Sequence, residues 1–512
     1  MLIDKPLMIM TQSNTYIPIS DNDLVHSCIE YKQLEEEDFV GLEIPIKNIL
    51  EIDADEYISE TAWKDYINLD EHNTVAINAS VGQGKSYLAR LIAKIYYMAR
   101  DEDGIPLYTV IFVVPYKSLI EQYIDDMTQD LQEENIEDIT VPDYNNLVEY
   151  DEKKEKYIDF KKRIDEASSQ RLHIVTINCL LGNPGDNAIE QSKDKQAYLN
   201  SIIKKCRDEG RKIILFADEI HDAIHNFKQD LIFNLWKFRT NYVIHKIFIL
   251  SATFNEASKI VIKYFAELTS KKLQIIETER KQKVKDLSNL HIHVTNKDYY
   301  NFDEDEFREL MRDIIKRHDT LNILSYSRKL CTDIANGENS LFIRDLLIEE
   351  YGERVNICIP EEYHPSKSER RKKEIPKEVS YSEKYQKGMC NIGTTFKTGI
   401  SIKEKNSGFV VFLPSAKAMK NVNRDKLGIF NNGVITLIQA IARVRKESDI
   451  YVIMPFPTKY IEEHQSYLTE DNYISKLMNI SIFEYRVFRH FDEKYLHRFY
   501  SEQNKLIQLK CK

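Results

Sequence analysis

The sequence has few of the residues that mark a secreted, zinc-binding or membrane protein. Its 512 residues include 7 cysteines, which are scattered and never spaced as Cys-x-x-Cys. This odd-numbered, scattered set indicates neither a disulfide framework nor a zinc site, so a reducing compartment is expected. No apolar run approaches a membrane-spanning length, and the first residues lack the basic start and apolar stretch of a signal peptide. We therefore expect a soluble, cytoplasmic protein that does not contact a membrane.

The chain also lacks an excess of positive charge. Its formal net charge is -11, with 71 Lys and Arg against 82 Asp and Glu. A protein of this charge does not coat nucleic acid nonspecifically, so contact with a polyanion must be confined to a local surface. The length exceeds that of one ordinary core and predicts two or three domains.

A glycine-rich stretch at residues 79–86 is the most informative part of the chain. It follows the short apolar segment Thr74 to Asn78 and precedes apolar residues at helical spacing, so it lies between a strand and a helix. This is the setting of a phosphate-binding loop. The first glycine of the usual pattern is Ala79 here.

Each residue type in this stretch suits a nucleoside triphosphate, with ATP as the expected ligand. Glycines let backbone N–H groups turn toward the phosphates, and the start of the helix adds positive potential. The lysine reaches the β- and γ-phosphates, and the serine hydroxyl can ligate Mg²⁺. The predicted ATP-binding residues are Ser80, Val81, Gly82, Gln83, Gly84, Lys85 and Ser86.

Two carboxylates follow a second apolar strand. The sequence Asp218-Glu219-Ile220-His221 comes directly after residues 213–217. Since the carboxyl ends of strands in an α/β sheet face the ligand, Asp218 is predicted to hold Mg²⁺ and Glu219 to polarise the attacking water.

Apolar strands alternate with helical stretches in two successive regions, a pattern typical of parallel sheets covered by helices. The lysine-rich passage at 271–288 between the regions is interpreted as a linker. We predict an N-terminal extension at 1–60, a first α/β domain at 61–270, a second at 289–462, and a helical, aromatic C-terminal segment at 463–512. The predicted strands are 74–78, 109–114, 173–177, 212–217 and 246–250 in the first region, and 291–294, 322–324, 355–359, 410–413 and 451–454 in the second.

The order of further motifs resembles superfamily 2 helicases of the DEAD/DEAH type. Segment 110–119 is similar to motif Ia, 173–177 to the strand-end segment that follows it, and Ser251-Ala252-Thr253 to motif III. In the second region, 323–328 is similar to motif IV, 393–401 to motif V and 439–445 to motif VI. The resemblance implies two tandem RecA-like domains, with ATP bound between them, and a looser similarity to origin-binding helicases of viruses and phages.

The resemblance also implies residue roles. Catalysis would involve Gln439, Arg443 and Arg445 besides Glu219, with Arg443 as the first arginine finger. The family usually has a glycine before this arginine and a second arginine three residues later, where this chain has Ala442 and Lys446, so the second finger stays undecided. His221, Ser251 and Thr253 would couple ATP state to domain closure, and Tyr116, Lys117, Thr176, Ser327 and Thr395 would contact nucleic-acid phosphates.

The resulting hypothesis is an ATP- and Mg²⁺-dependent helicase or translocase that acts on nucleic acid, with DNA favoured over RNA. Two alternatives remain open: a duplex translocase that does not separate strands, and an ATP-gated binding module that hydrolyses slowly. The basic stretch 367–377 and the aromatic run 483–500 are each compatible with nucleic-acid contact and with a structural role. Protein partners in replication, repair or defence are not specified by the sequence.

Overall fold

The computed structural model divides the chain into two compact units. The P-loop unit comprises Tyr31–Lys283, and the C-terminal unit comprises Val284–Lys512 together with Met1–Glu30. The structure describes residues 16–17, 34–53, 56–80, 82–134, 136, 140–142, 157–181, 188–220, 233–252, 254, 256–280, 289–294, 300, 302, 304–336, 341–360, 363–365, 379–382, 384–396, 400, 402, 404, 406–413, 434–441, 443–444 and 448–454. The short strand β1 (Tyr16–Ile17) belongs to the C-terminal unit.

The P-loop unit contains a parallel sheet of seven strands. Their order across the sheet is β2-β8-β3-β7-β6-β4-β5, and every neighbouring pair runs parallel. The strands are β2 (Ile44–Ile52), β3 (Thr74–Asn78), β4 (Tyr108–Val114), β5 (Leu172–Thr176), β6 (Lys212–Asp218), β7 (Ile244–Ser251) and β8 (Lys272–Arg280).

The central strands are buried on both faces, which requires helices or loops on both sides of the sheet. All five residues of β3 are buried, as are six of the seven in β6. Phe112, Phe216 and Phe248 lie directly opposite one another on β4, β6 and β7, with ring centroids 4.7 and 4.8 Å apart. This stack fixes the register of the three strands, since a one-residue slip would move every ring to the other face.

The long helices that flank this sheet are amphipathic and pack their apolar stripe on the core. Helix α3 shows the pattern: Leu119, Ile120, Tyr123, Met127 and Leu131 recur every three to four residues and are buried. The helices are α1 (Trp63–Tyr66), α2 (Lys85–Met98), α3 (Lys117–Gln132), α4 (Tyr157–Ser168), α5 (Ile177–Leu181), α6 (Ala188–Asp208), α7 (Trp236–Thr240) and α8 (Glu256–Leu268).

The C-terminal unit contains a second sheet in the order β1-β9-β15-β14-β10-β13-β11-β12. Its pairs are parallel except for β1, which runs antiparallel to β9. The strands after β1 are β9 (Asn289–Val294), β10 (Thr320–Ser325), β11 (Val355–Cys358), β12 (Val379–Ser382), β13 (Cys390–Gly393), β14 (Ser407–Phe412) and β15 (Asp449–Met454), and the helices are α9 (Asp305–Arg317), α10 (Arg328–Asn336), α11 (Leu341–Tyr351) and α12 (Val434–Ile441).

A row of buried amides crosses this second sheet. Asn391 donates to Asn322 at 3.1 Å, and Asn356 donates to Asn391 at 3.2 Å. The row extends to Ser407 beyond Asn322 and to Ser380 beyond Asn356. A buried polar group that lost its partner would be costly, so the row favours one register of strands β12, β11, β13, β10 and β14.

The fold confirms the predicted class of two α/β units built on parallel sheets and corrects part of the domain layout. Residues 272–280, predicted to lie in a linker, form β8 inside the first sheet, between β2 and β3. The physical reason is the apolar centre of the segment, since Leu273, Ile275 and Ile276 are buried in the core. Residues 44–52, predicted to lie in an N-terminal extension, form β2 beside it. The predicted C-terminal helical segment lies outside the described residues. No helix in the described part of the chain is long and apolar enough to cross a bilayer.

Candidate nucleotide-hydrolysis site

The glycine-rich loop joins β3 to α2, as the sequence predicts. Gly82 and Gly84 have φ angles of 81° and 80°, in the left-handed region that favours glycine. Gly84 is also the N-cap of α2, so the loop ends where the helix exposes its first N–H groups. This geometry leaves the first N–H groups of the helix, at the positive end of its dipole, available to an anion. Val81 lies outside the described residues.

Lys85 lies inside the loop rather than on the surface. Lys85 is 7 % exposed, and its Nζ donates to the carbonyls of Ala79 at 2.8 Å and Ser80 at 3.1 Å. The loop carbonyls thus orient the ammonium group, which is the group predicted to meet the phosphates. Ala79, which stands where the pattern has glycine, is buried and donates its N–H to the carbonyl of Ser251.

The two predicted metal-holding residues meet across the sheet. The hydroxyl of Ser86 at the start of α2 lies 3.4 Å from Asp218 Oδ2 at the end of β6. Burial, followed by the neighbouring charge of Glu219, raises the pKa of Asp218 to about 6. A nearby cation would favour its ionised form.

Ser86 and Asp218 fit a magnesium ion. Within the described residues, Asp218 Oδ1 is buried and has no hydrogen-bond partner, so an oxygen acceptor is ready for a cation. The described residues contain no group of three or more His, Cys, Asp or Glu side chains suited to a metal. Magnesium at nucleotide sites is held by one or two protein oxygens together with phosphates and water, which agrees with this sparse set.

Glu219 has an unusual backbone conformation. Its φ is 49°, a left-handed value that is uncommon for a non-glycine residue, and its N–H donates to the Leu250 carbonyl at 2.9 Å. Strain of this kind concentrates at functional sites. Ser251, at the end of β7, donates to Glu219 Oε2 at 3.2 Å. The structure therefore brings together the predicted water-polarising residue and one predicted coupling residue, whereas His221 and Thr253 lie outside the described residues.

The predicted nucleic-acid residues of the P-loop unit lie at neighbouring strand ends. Tyr116 is the half-buried N-cap of α3, Lys117 begins that helix, and Thr176 ends β5. Val114 lies opposite Thr176 in the register of β4 and β5. Thr176 is only 6 % exposed, so little of it is accessible to a nucleic-acid phosphate. Its contact with nucleic acid stays a prediction.

The predicted residues of the C-terminal unit show the same placement. Ser327 and Thr395 follow the neighbouring strands β10 and β13. Ser327 Oγ accepts from the Leu330 N–H at 3.1 Å, so its own hydroxyl proton can still be donated. The Thr395 hydroxyl donates to the Cys358 carbonyl at 3.2 Å. The basic stretch 367–377 and the aromatic run 483–500 lie outside the described residues.

Two predicted catalytic residues lie at the end of α12. Gln439 is buried, and its carbonyl accepts from Arg443 Nε at 3.0 Å. Arg443 is half-buried, and its own carbonyl accepts the Ile402 N–H at 2.8 Å. Arg445 lies outside the described residues.

Three residues that sequence reasoning missed border the site. The hydroxyl of Tyr123 on α3 donates to Asp218 Oδ2 at 2.5 Å. The ring of Tyr57 lies against the loop, since a Cβ added to Gly84 would be 3.2 Å from its Cδ1. Glu277 on β8 accepts from the Asn78 amide at 2.9 Å, directly before the loop. Tyr123 occupies an ordinary apolar position of an amphipathic helix, and the other two are distant in sequence, so no local pattern identifies them.

The raised pKa of Glu277 predicts that the stability of the fold depends on pH. The residue is 5 % exposed, and burial raises its pKa from 4.5 to about 7. Between these two values the folded state holds a proton that the unfolded state has lost, so stability falls as pH rises through this window. We expect Glu277→Gln to remove this loss. The difference in free energy of unfolding, variant minus wild type, should be about 2 kcal/mol larger at pH 8 than at pH 5. Urea unfolding at the two pH values measures the difference.

Glu279→Gln is the control for this experiment, because Glu279 lies on the same strand with an exposed side chain. Parallel pH profiles for wild type and Glu277→Gln would show that Glu277 does not titrate in this window.

The fold consists of two α/β units built on parallel sheets, and the first carries a glycine-rich loop between β3 and α2 with the arrangement of a phosphate-binding loop. Residues 47–256 match the family described as Type III restriction enzyme, res subunit. The matched segment contains the glycine-rich loop and the Asp218-Glu219 pair, two of the motifs in which the sequence resembles superfamily 2 helicases. The looser resemblance to origin-binding helicases stays a prediction.

Several solved structures are similar over most of the chain. They include the DEAD-box helicase Mss116 bound to ssRNA and UDP-BeF (TM-score 0.43, 12% identity, covering 86% of this chain and 84% of that one). S. cerevisiae Dbp5 bound to RNA and ADP BeF3 has a TM-score of 0.39 and 14% identity, covering 84% and 89%. A CRISPR-associated protein has a TM-score of 0.47 and 10% identity, covering 95% of this chain and 56% of that one. No curated protein sequence matches the chain.

Proposed function

We propose that the chain is an ATP-dependent motor that moves on or unwinds nucleic acid, with DNA favoured over RNA. The observation that carries this proposal is the convergence of the phosphate loop with the ends of β6 and β7. Lys85 and Ser86 follow β3, Asp218 ends β6, and Ser251 ends β7 and contacts Glu219. Since β3, β7 and β6 are neighbours, the lysine, the serine and the acidic pair share one edge of the sheet.

In this proposal each residue has a defined task in hydrolysis. Backbone N–H groups of the loop and Lys85 bind the triphosphate, while Ser86 and Asp218 hold the magnesium ion that neutralises its charge. Glu219 orients the attacking water, and Ser251 holds the Glu219 carboxylate. Tyr57, whose exposed ring borders Gly84, offers a flat apolar surface to the base.

The C-terminal unit would complete the site. Gln439, Arg443 and Arg445 would reach the γ-phosphate, where guanidinium groups neutralise the charge that develops during transfer. His221 and Thr253 would act with Ser251 to couple hydrolysis to closure. Tyr116, Lys117, Thr176, Ser327 and Thr395 would contact the phosphates of one strand, which gives weak sequence preference.

A duplex translocase is the second candidate function. The matched family is described as a subunit of a restriction enzyme, and restriction motors move on duplex without separating its strands. The chemistry of the ATP site is the same in both cases.

Strand displacement and triplex displacement distinguish these functions. We expect the wild-type protein with MgATP to release a labelled strand from a tailed duplex, and Lys85→Ala to release none because it loses the ammonium group in the loop. Release of a third strand without duplex separation would favour the translocase. Equal release by wild type and Lys85→Ala would refute an ATP-driven motor at this site.

A further inference from the structure

Tyr123 of helix α3 is hydrogen-bonded to Asp218, the carboxylate proposed to hold magnesium. It is 4 % exposed, and its hydroxyl donates to Asp218 Oδ2 at 2.5 Å. The Ser86 hydroxyl approaches the same oxygen at 3.4 Å. Both donors use Oδ2, and within the described residues Oδ1 has no partner. The hydroxyl of Tyr123 therefore fixes the carboxylate while leaving one oxygen for a cation.

The ring of Tyr123 is held firmly. Its centroid lies 4.9 Å from that of Phe112, which belongs to the phenylalanine stack of the central strands. One and two turns further along α3, Asp126 and Asp130 accept from Arg90 of α2 at 2.7 and 2.6 Å. Helix α3 is thus tied both to the sheet and to the helix that follows the phosphate loop.

The start of α3 is where the sequence places a nucleic-acid contact. Tyr116 is its N-cap and Lys117 its first residue. Tyr123 comes six residues after Lys117, which corresponds to a rise of about 9 Å along the helix. A single rigid helix therefore connects the proposed contact to the carboxylate of Asp218.

We propose that Tyr123 is a positioning residue, whose hydroxyl orients Asp218 for magnesium and makes the metal site respond to the position of helix α3. Displacing α3 by binding at its start changes the hydrogen bond to Asp218, and with it the fit of the cation. The second half of this inference rests on the proposed function, because it requires nucleic acid at Tyr116 and Lys117.

Tyr123→Phe tests the inference, because it retains the ring and removes only the hydroxyl. The readout is the binding of a fluorescent, non-hydrolysable ATP analogue measured while Mg²⁺ is titrated. We expect the Mg²⁺ concentration for half-saturation to rise about ten- to 100-fold, the effect of losing one hydrogen bond to a charged group. Binding of the analogue without Mg²⁺ should stay the same.

Tyr96→Phe is the matched control. Tyr96 is a buried tyrosine of α2 whose hydroxyl donates to the Leu69 carbonyl, also at 2.5 Å. It lies in the same unit and makes a bond of equal length, but not to the carboxylate. A merely structural effect would therefore alter thermal stability in both variants and the Mg²⁺ requirement in neither. Half-saturation of Tyr123→Phe within twofold of Tyr96→Phe would overturn the positioning role.

The link to α3 has its own readout. At saturating Mg²⁺, Tyr123→Phe should lose most of the acceleration of hydrolysis by single-stranded DNA while its affinity for the DNA stays unchanged. An unchanged acceleration would overturn the link. If nucleic acid fails to accelerate even the wild type, the proposed function fails, and the Mg²⁺ titration still decides the role of Tyr123.

Discussion

Replacing Glu219 with glutamine is expected to lower ATP turnover by about 10²- to 10⁴-fold, the contribution typical of a positioned acid or base. The amide keeps the size of the side chain, so the strained backbone at φ 49° and the contact with Ser251 can persist. Binding of MgATP should change by less than about threefold, because the loop and Asp218 remain intact. Steady-state hydrolysis and equilibrium binding measure the two effects separately.

Asp218→Asn provides the contrast for this prediction. It removes the charge at the magnesium position, so it should weaken binding of the nucleotide in the presence of Mg²⁺ as well as turnover. A Glu219→Gln variant with full turnover, or one that loses nucleotide binding to the same extent as Asp218→Asn, would contradict the assigned role.

Arg443→Ala is expected to lower turnover by about 10³- to 10⁵-fold, the range of an arginine finger. Arg443→Lys should recover little, since a lysine lacks the planar fork that meets two phosphate oxygens. ATP binding should persist, because the P-loop unit supplies the phosphate loop and the metal-holding residues. Turnover of the three proteins at saturating MgATP measures the effect.

Arg354→Ala is a matched control from the same unit, because its Nε also donates to a backbone carbonyl, that of Tyr351 at 3.1 Å. It should leave turnover unchanged. Arg445→Ala, measured beside Arg443→Ala, identifies the second finger if it lowers turnover by a comparable factor. Full turnover in Arg443→Ala would remove the C-terminal unit from the catalytic site.

The parts of the site that the sequence predicts are those formed by residues adjacent in the chain. The loop between β3 and α2 and the pair Asp218 and Glu219 each follow an apolar strand, so periodicity locates both. All ten strands predicted from the two regions are present with small changes at their ends. Buried parallel strands are apolar throughout and give a strong local signal.

The missed features depend on partners that are distant in the chain. Strand β8 has charged residues at both ends, so only its short centre gives an apolar signal. Its pairing with β2 joins residues more than two hundred positions apart. Strand β13 is not among the predicted strands; its buried Asn391 amide donates to Asn322 of β10, a partner 69 positions earlier in the chain. The same reason hides Tyr123, since its bond to Asp218 spans 95 positions.

The most direct test of the account is the rate of ATP hydrolysis with and without nucleic acid. With single-stranded DNA in excess, wild-type hydrolysis should accelerate about tenfold or more, which corresponds to lowering the barrier by at least ~1.4 kcal/mol. Single-stranded RNA, measured in parallel, should accelerate it less. Identical rates with DNA, RNA and no nucleic acid would contradict a nucleic-acid motor.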